Sequence, residues 1–442
     1  MTKTTVKQPT LKSLEKDCSS IRLEEYDQAL LVTSSLPVAV LSTAILSRIM
    51  INSEKRFHTT FSEPVITVDT LNDLRQKYKS SVVILVGIDI IGTGRVKKAS
   101  GYPIIVGGEF ESEQIESFRL GTNQTLTSVA YVLTESLEKQ FDYDLQLATA
   151  GALLSIGSEK TKKNANNEVI ELAKSKGIIE ERKGFKLLGV SLLPLDEVFR
   201  YSTYPYLQSI SGNQKACDSL LNEAEIPVAK LRTPLSNLST SEAQRLTSKL
   251  IPTLDSNVIS RLLGPDYEFP REPESSLFRH LSGIEIVAST AWALNEPGAF
   301  MSVLFGDRGR ALRLLIDSHM SHHKDVISAV QRLESNLMSE STTSATIIKA
   351  SGYRVELLPD IGRIALETGI VDTGRPVALN HDDAFIIVWP SHNLALKDAF
   401  RSILKEKIDQ TATSIRSIKI FGGSQERERA LQIIATMNKE SG

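Results

Sequence analysis

Two short apolar runs stand out in the hydrophobic pattern of the chain, at residues 82–91 and 103–106. Both are rich in β-branched residues and lack the alternation of a half-exposed strand, which is typical of strands covered on both faces in a parallel sheet. In such sheets, ligands collect beyond the carboxyl ends of the strands. The predicted site therefore includes Asp89, Gly107, Gly108 and Glu109, a set with two carboxylates and no histidine. That is a poor set for catalysis.

The surrounding pattern alternates strands with helices. It predicts strands at 29–33 and 56–61 and helices at 37–51, 71–79, 124–139 and 144–156. This alternation implies right-handed crossovers and a parallel sheet, hence an α/β fold. The polar, basic stretch 159–167 is expected to be a loop.

The second half of the chain first becomes helical and then returns to strands. Helices are expected at 277–294 and 308–337, with a proline- and acid-rich loop at 264–276 and a linker at 339–344. Strands are then expected at 345–349, 353–358, 376–379, 385–389 and 415–421, with a hairpin turn at 381–383 and a final helix at 425–437. We therefore predict three domains: 1–214 with the parallel sheet, a helical connector at 215–338, and a smaller α/β domain at 339–442.

Composition narrows the functional classes. A formal charge of −2 over 442 residues argues against binding nucleic acid by bulk electrostatics, although a local basic groove is compatible with it. Two cysteines without paired spacing, a polar start and no long apolar run predict a cytoplasmic protein without a membrane partner. The lysines of two short basic stretches are candidate nucleic-acid contacts, although a solvated loop is the commoner explanation: Lys97, Lys98, Lys160, Lys162 and Lys163.

Three histidines share one predicted helix, at His319, His322 and His323, with Asp325 nearby. The one-turn spacing of His319 and His323 could bind a metal ion. Because the sequence offers no identifiable third ligand, a solvated helix face is the favoured interpretation. We predict no metal site and no cofactor.

The turn FGGS at 421–424 joins a predicted strand to a predicted helix. Its backbone N–H groups could receive a phosphate, so Gly422, Gly423 and Ser424 are candidate nucleic-acid contacts. A tight strand–helix turn also needs glycine, which leaves that signal weak.

Several long segments resemble one known family. The segment YSTYPYLQSISGNQKACDSLLNEAEIP at 201–227 is the most specific, and segments at 233–251 and 375–388 support it. They are similar to the RecJ-like branch of the DHH phosphoesterase superfamily in its archaeal form. The resemblance covers nearly the whole chain and implies an N-terminal DHH-like domain and a C-terminal DHH-associated domain.

The resemblance also implies where a two-metal site would lie, and this sequence departs from it. The family's ligand positions carry residues that are mostly unable to bind a metal ion: Ser34, Leu36, Val38, Ala39, Gly107, Gly108, Glu109 and Ser155, with Asp89 as one surviving carboxylate. Two divalent ions need several oxygen or nitrogen ligands within a few ångströms. Ser424 replaces the histidine of the family's substrate-binding turn. The site is therefore expected to be degenerate.

Within this family, the inactive branch resembles cell-division-control protein forty-five, a non-catalytic subunit of the replicative helicase. The implied partners are the GINS complex and the MCM helicase, with weak binding of single-stranded DNA and a chromosome-associated location. One alternative is a divergent metal-dependent exonuclease or phosphoesterase specific for single strands. Another is a regulatory partner of an active paralogue. The small number of metal-binding side chains favours the inactive hypothesis over the first alternative.

Overall fold

The structure is a computed structural model. It describes residues 9–19, 21, 23–79, 82–92, 103–110, 117–135, 141–155, 164–191, 193–274, 276–390 and 394–441. The chain divides into two units: unit 1 comprises Met1–Glu180 and Asn295–Ala311, and unit 2 comprises Glu181–Leu294 and Leu312–Gly442. The three-domain division with boundaries at 214 and 338 stays a prediction.

The elements are numbered in chain order. The strands are β1 (Gln28–Ser34), β2 (Arg56–Ser62), β3 (Val65–Thr67), β4 (Val82–Val86), β5 (Asp89–Ile91), β6 (Ile104–Val106), β7 (Phe118–Leu120), β8 (Glu180–Phe185), β9 (Leu263–Glu268), β10 (Ser339–Ser341), β11 (Thr346–Lys349), β12 (Val377–His381), β13 (Ala384–Val388), β14 (Gln410–Ser414) and β15 (Ser417–Ile420). The helices are α1 (Leu11–Cys18), α2 (Pro37–Asn52), α3 (Val68–Tyr78), α4 (Leu126–Glu135), α5 (Asp142–Ser155), α6 (Ala165–Ser175), α7 (Leu195–Arg200), α8 (Gln214–Glu223), α9 (Thr240–Leu250), α10 (Ser256–Leu262), α11 (Leu281–Ala293), α12 (Pro297–Leu304), α13 (Arg310–Ser335), α14 (Leu358–Glu367), α15 (Leu396–Lys405) and α16 (Ser424–Ser441).

Unit 1 is built on a five-stranded parallel sheet in the order β2-β1-β4-β6-β7. Leu30 and Val32 face a core that includes Leu71 of α3, while α2 and α4 pack on the opposite side. Strands β4 and β6 are buried along their whole length because both faces are covered. The parallel α/β fold predicted from the alternating pattern is confirmed.

The pattern predicted a single strand over the apolar run 82–91, and that prediction was wrong. The run breaks at Gly87, whose φ is +65°, and the chain then forms β5, which pairs with β3 in a separate two-stranded sheet. Glycine adopts this left-handed conformation without the steric cost of a side chain. The pattern also missed β3 and β7, because three residues are too few to display a period.

Unit 2 contains a six-stranded sheet in the order β10-β11-β12-β13-β15-β14. Helices α13 and α14 form a core with one side of this sheet, in which Val330 and Ile361 contact strand residues such as Leu379 and Val388. Helices α7 to α10 enclose a second cluster that includes Phe199 and Leu246. The predicted strands at 345–349, 376–379, 385–389 and 415–421 and the final helix are present, and the C-terminal α/β fold is confirmed.

Three predictions for unit 2 were wrong. Residues 353–358 form a turn of 3₁₀ helix that leads into α14 rather than a strand, because their apolar positions continue the helical spacing of α14. The expected loop at 264–276 begins with β9, which pairs with β8, and the expected linker at 339–344 contains β10. Pro265 is tolerated in β9 because a two-stranded sheet leaves one edge of each strand unpaired.

Within the part of the chain that the structure describes, no helix is both long and apolar enough to cross a membrane.

Candidate functional site

The carboxyl ends of β1, β4 and β6 bring together Ser34, Gly87 and Gly107. The register pairs Thr33 with Val86 and Val86 with Val106, so the residues that follow meet at one edge of the sheet. The Gly87 N–H donates to the Val106 carbonyl at 2.9 Å, which continues the pairing for one more residue. The sequence therefore predicted correctly that these segments are neighbours.

Apolar side chains fill the space at this edge. A Cβ atom placed on Gly107 would lie 2.5 Å from Cδ2 of Leu126, the first residue of α4. One placed on Gly87 would lie 3.0 Å from the Cβ of Ala39, and both Leu126 and Ala39 are buried. The Ser34 hydroxyl is also buried, and it has no hydrogen-bond partner among the described residues. The described side chains at this edge are therefore packed, and they leave no room for a side chain at Gly107 and little at Gly87.

Gly108 is required by close backbone contact. Its ideal Cβ position is only 2.0 Å from the carbonyl oxygen of Ile88 and 2.8 Å from Cγ2 of Ile105. The segment after β6 lies against the segment between β4 and β5, since the Ile90 N–H donates to the Glu109 carbonyl at 2.8 Å. A side chain at position 108 therefore has no room.

Asp89 holds these two segments together. Its side chain is buried, and its Oδ1 accepts the backbone N–H of Glu109 at 3.0 Å. Glu109 itself is exposed. The two carboxylates thus differ in their environments, and Asp89 has a structural role that its sequence position did not reveal.

We expect Asp89→Ala to destabilise the protein by about 1–3 kcal/mol, because it leaves the partly buried N–H of Glu109 without its acceptor. Asp89→Asn should cost less, since an amide oxygen can accept the same hydrogen bond. Urea unfolding followed by circular dichroism measures both, with Glu109→Ala as an exposed control. Equal stability of the Asp89→Ala variant and the native protein would show that the bond between Asp89 and Glu109 is not stabilising.

The remaining degenerate positions lie on two helices. Leu36 is the N-cap of α2 and makes no side-chain capping bond, and Val38 lies in the first turn of that helix. At the end of α5, the Ser155 hydroxyl donates back to the Gly151 carbonyl at 2.7 Å. Among the described residues, no group of three or more histidine, cysteine or acidic side chains could hold a metal ion. The catalytic state of the site stays a prediction.

The candidate nucleic-acid contacts fall into two groups. Lys97, Lys98, Lys160, Lys162 and Lys163 lie outside the described residues. In the C-terminal turn, Gly422 has a φ of +121°, and the Gly423 N–H donates to the Glu426 carboxylate at 3.0 Å. A carboxylate therefore holds one of the N–H groups that a phosphate at Gly422, Gly423 and Ser424 would need. The role of this turn in nucleic-acid binding stays a prediction.

The three histidines do not form a solvated helix face, and that prediction was wrong. His319 is buried, and its Nδ1 shares a hydrogen bond of 3.0 Å with the Thr290 hydroxyl. His323 shares one of 2.6 Å with Thr203, and His322 one of 2.9 Å with Asp360. The imidazole rings of His319 and His323 lie 4.0 Å apart between centroids.

Two of these rings, His319 and His323, have a lowered pKa because of their surroundings. Burial, together with the neighbouring His322, lowers the pKa of His319 to about 4. Burial and the neighbouring His319 also lower the pKa of His323 well below its ordinary value. Both rings are therefore neutral at physiological pH, as packed hydrogen-bonding groups of the core of unit 2.

Helix α14 carries an ionic network that was not predicted from the sequence. Asp360, Arg363 and Glu367 lie on one face of α14 at spacings of three and four residues. The Arg363 guanidinium is 2.8 Å from Asp360 and 2.9 Å from Glu367, and it also donates to the Thr203 carbonyl at 2.9 Å. The spacings of three and four residues between these charges are the signal in the sequence that could have indicated the network.

Comparisons with known proteins place this geometry in a known fold. No protein-family model and no curated protein matches the sequence. Among solved structures, CDC45 from Entamoeba histolytica is similar over 97% of this chain and 99% of its own, with a TM-score of 0.64 and 12% identity. RecJ from Thermus thermophilus, solved in complex with Mn²⁺, is similar over 97% of this chain with a TM-score of 0.51 and 10% identity. The alignment covers 55% of the RecJ chain, so this protein spans about half of its length. The resemblance to RecJ-like proteins is confirmed at the level of the fold.

Proposed function

We propose that the protein is a non-catalytic replication factor of the CDC45 type. The observation that carries this proposal is the end-to-end likeness to CDC45, combined with the apolar filling at the carboxyl edge of the sheet. A fold shared with both CDC45 and RecJ is compatible with either an inactive or an active protein. The filling of the edge favours the inactive one.

The residues at the edge do not fit the two-manganese centre that the RecJ-like resemblance implies. Each divalent ion must exchange most of its water shell for protein oxygens or nitrogens. Leu126 and Ala39 occupy the space beside Gly107 and Gly87, and Asp89 is engaged in holding Glu109. A bridged pair of ions would require these side chains to leave their packed positions.

The partners we propose follow from the resemblance to the inactive branch. The protein would bind the GINS complex and the MCM helicase and support DNA unwinding as a structural subunit at the chromosome. Its contact with single-stranded DNA would be weak and sensitive to salt, because the chain carries a formal charge of only −2. It would act by binding other proteins through its surfaces rather than by catalysing a reaction.

Reconstitution tests this proposal. We expect the full-length protein to co-elute with GINS in gel filtration and to raise the rate of DNA unwinding by MCM when all three are combined. Asp89→Asn should stimulate unwinding as well as the native protein, since it keeps the acceptor for Glu109. Glu109→Gln, at an exposed position, is a matched control.

A second candidate function is an exonuclease of the RecJ type, favoured by the likeness to RecJ bound to Mn²⁺. The same preparation, given manganese and labelled single-stranded DNA, is expected to leave the DNA intact. Degradation that co-elutes with the protein and disappears in Asp89→Asn would replace the first proposal with this one. If the protein neither degrades DNA nor associates with GINS or MCM, a regulatory partnership with an active paralogue becomes the better hypothesis.

A further inference from the structure

Strand β2 forms one edge of the parallel sheet of unit 1. Its inner side pairs with β1 along its whole length, from Arg56 to Ser62, and no other described strand pairs with its outer side. None of its residues is buried, and Arg56 and His58 are exposed. Because every second residue of an edge strand directs its N–H and C=O groups away from its neighbour, β2 offers a row of backbone groups for further pairing.

The other edges of the two large sheets carry features that discourage further pairing. Strands β7 and β10 are only three residues long, and the pairing of β14 is irregular between Ala412 and Ser414. Short strands, bulges, prolines and charges are the means by which native proteins block edge-to-edge association. Strand β2 is seven residues long, pairs regularly and contains no proline, and its one charged residue, Arg56, lies at its end.

The sequence of β2 matches itself when two copies of the strand run antiparallel. A two-fold axis through Thr59, perpendicular to the sheet, keeps the whole strand paired and joins each face of one sheet to the same face of the other. In this register, Phe57 of each copy lies opposite Phe61 of the other copy. Both side chains are partly exposed at this edge. Aromatic residues directly opposite each other are among the pairs that stabilise antiparallel strands.

The residues around β2 add charge complementarity to this register. Lys55 precedes the strand and Glu63 follows it, and both are partly exposed. The same axis brings Lys55 of each copy opposite Glu63 of the other, so that opposite charges meet at both ends of the paired strands. Arg56 lies opposite Ser62, and Thr59 lies opposite Thr59 of the other copy. The pairing therefore sets no like charges against each other.

We propose that two copies of this chain associate through β2 and form one continuous sheet with five strands from each copy. Backbone hydrogen bonds supply the pairing, and the cross-strand side-chain pairs set its register. The paired strands extend over only about 24 Å, which gives a smaller interface than that of a stable dimer. We therefore expect a weak dimer, with a dissociation constant of about 10–100 µM. This inference does not depend on the proposed replication role.

Sedimentation equilibrium of the full-length protein measures the association. The mass is expected to rise from that of a monomer towards that of a dimer between about 1 µM and 1 mM. Hydrogen–deuterium exchange at both ends of this range is a second measurement, and it needs no variant. Amides of β2 should exchange severalfold more slowly at the higher concentration, whereas those of β7, at the opposite edge of the same sheet, should be unchanged.

Charges introduced at the symmetry axis assign the association to β2. Thr59→Lys and Thr59→Glu each place like charges directly opposite each other, and each should raise the dissociation constant at least about tenfold. An equimolar mixture of the two variants should dimerise again, because opposite charges then meet at the axis. Ser175→Lys, at an exposed position of α6 in the same unit, is the matched control and should dimerise like the native protein.

Three results would overturn the proposal. The first is a protein that stays monomeric up to about 1 mM. The second is a dimer that persists in the folded Thr59→Lys and Thr59→Glu variants, or that leaves amide exchange in β2 unchanged, since either would place the interface elsewhere. The third is a mixture of the two folded variants that stays monomeric. Circular dichroism reports whether each variant is folded, and the exchange measurement decides the matter if one is not.

Discussion

Alanine at Gly108 is expected to destabilise unit 1 by about 3 kcal/mol or more, which is a large cost for one methyl group. The reason is geometric. The added Cβ would lie 2.0 Å from the Ile88 carbonyl oxygen, a backbone atom that can move only if the hydrogen-bonded segments around Asp89 separate. Relief of this contact therefore disrupts the carboxyl edge of the sheet.

Thermal unfolding followed by circular dichroism measures this effect, and Gly298→Ala is the matched control. Gly298 is in the same unit, at the second position of α12, and a Cβ there would meet nothing within 4 Å. Alanine at that position should be neutral, or stabilising by up to about 1 kcal/mol, through its better helix propensity. A Gly108→Ala variant as stable as Gly298→Ala would mean that the close contact at Gly108 is easily relaxed.

The same contacts determine whether the Asp-His-His motif of the DHH superfamily, which the sequence resemblance implies, could be introduced into this chain. Replacing residues 107–109 with Asp-His-His would place a Cβ at both glycines, against Leu126 at one and the Ile88 carbonyl at the other. We therefore expect such a variant to unfold rather than to gain manganese binding. The glycines and the packing around them form one arrangement, so a side chain at either position would lower the stability of the fold.

The hydrophobic pattern was a good guide to the central sheet. The runs that became β1, β4 and β6 are apolar on both faces, and such runs have few alternatives to a covered parallel sheet. The pattern failed where a residue changes the direction of the chain, as at Gly87, because apolar composition is the same before and after the break. Strands β3 and β7 were missed because three residues are too few to display a period.

The sequence predicted where the candidate site lies in the sheet, but not how its residues pack and which hydrogen bonds they form. The family resemblance predicted a degenerate site at Gly107 and Gly108, and the strand register brings these residues to the expected edge of the sheet. It could not indicate that Leu126, which begins a helix almost twenty residues later, fills the space. Nor could it reveal that Asp89 bonds to the backbone of Glu109, since that contact depends on how two loops meet.

For the three histidines, the sequence failed to predict that they lie in a packed cluster. Polar residues at positions 319, 322 and 323 are most often solvated on a helix as long as α13. Their partners, Thr203, Thr290 and Asp360, come from distant parts of the sequence, so nothing local distinguishes a buried cluster from an exposed face. Only the assembled core of unit 2 supplies the hydrogen bonds that offset the cost of burial.

Unit 2 is expected to lose stability as the pH falls below 6.5, with a loss of about 2 kcal/mol from His319 alone by about pH 5. Burial lowers the pKa of His319 to about 4 in the folded protein, whereas the unfolded chain binds a proton near the ordinary value of 6.5. The unfolded state therefore takes up protons that the folded state excludes. The stabilisation is complete above pH 6.5 and is lost progressively as the pH falls towards 4. His323, whose pKa is also lowered, adds to the loss.

Urea unfolding between about pH 8 and pH 5, followed by tryptophan fluorescence, measures this dependence in unit 2. His319→Phe should flatten the profile, even if the loss of the bond to Thr290 lowers stability at every pH. Asp360 and Arg363, which face the cluster from α14, stay charged throughout this range because their mutual attraction lowers the pKa of the carboxyl and raises the pKa of the guanidinium despite their burial. His58→Gln, at an exposed position in unit 1, is the control and should leave the profile unchanged. A profile equally steep in His319→Phe and in the native protein would assign the dependence to other groups, because the buried ring would then contribute nothing to it.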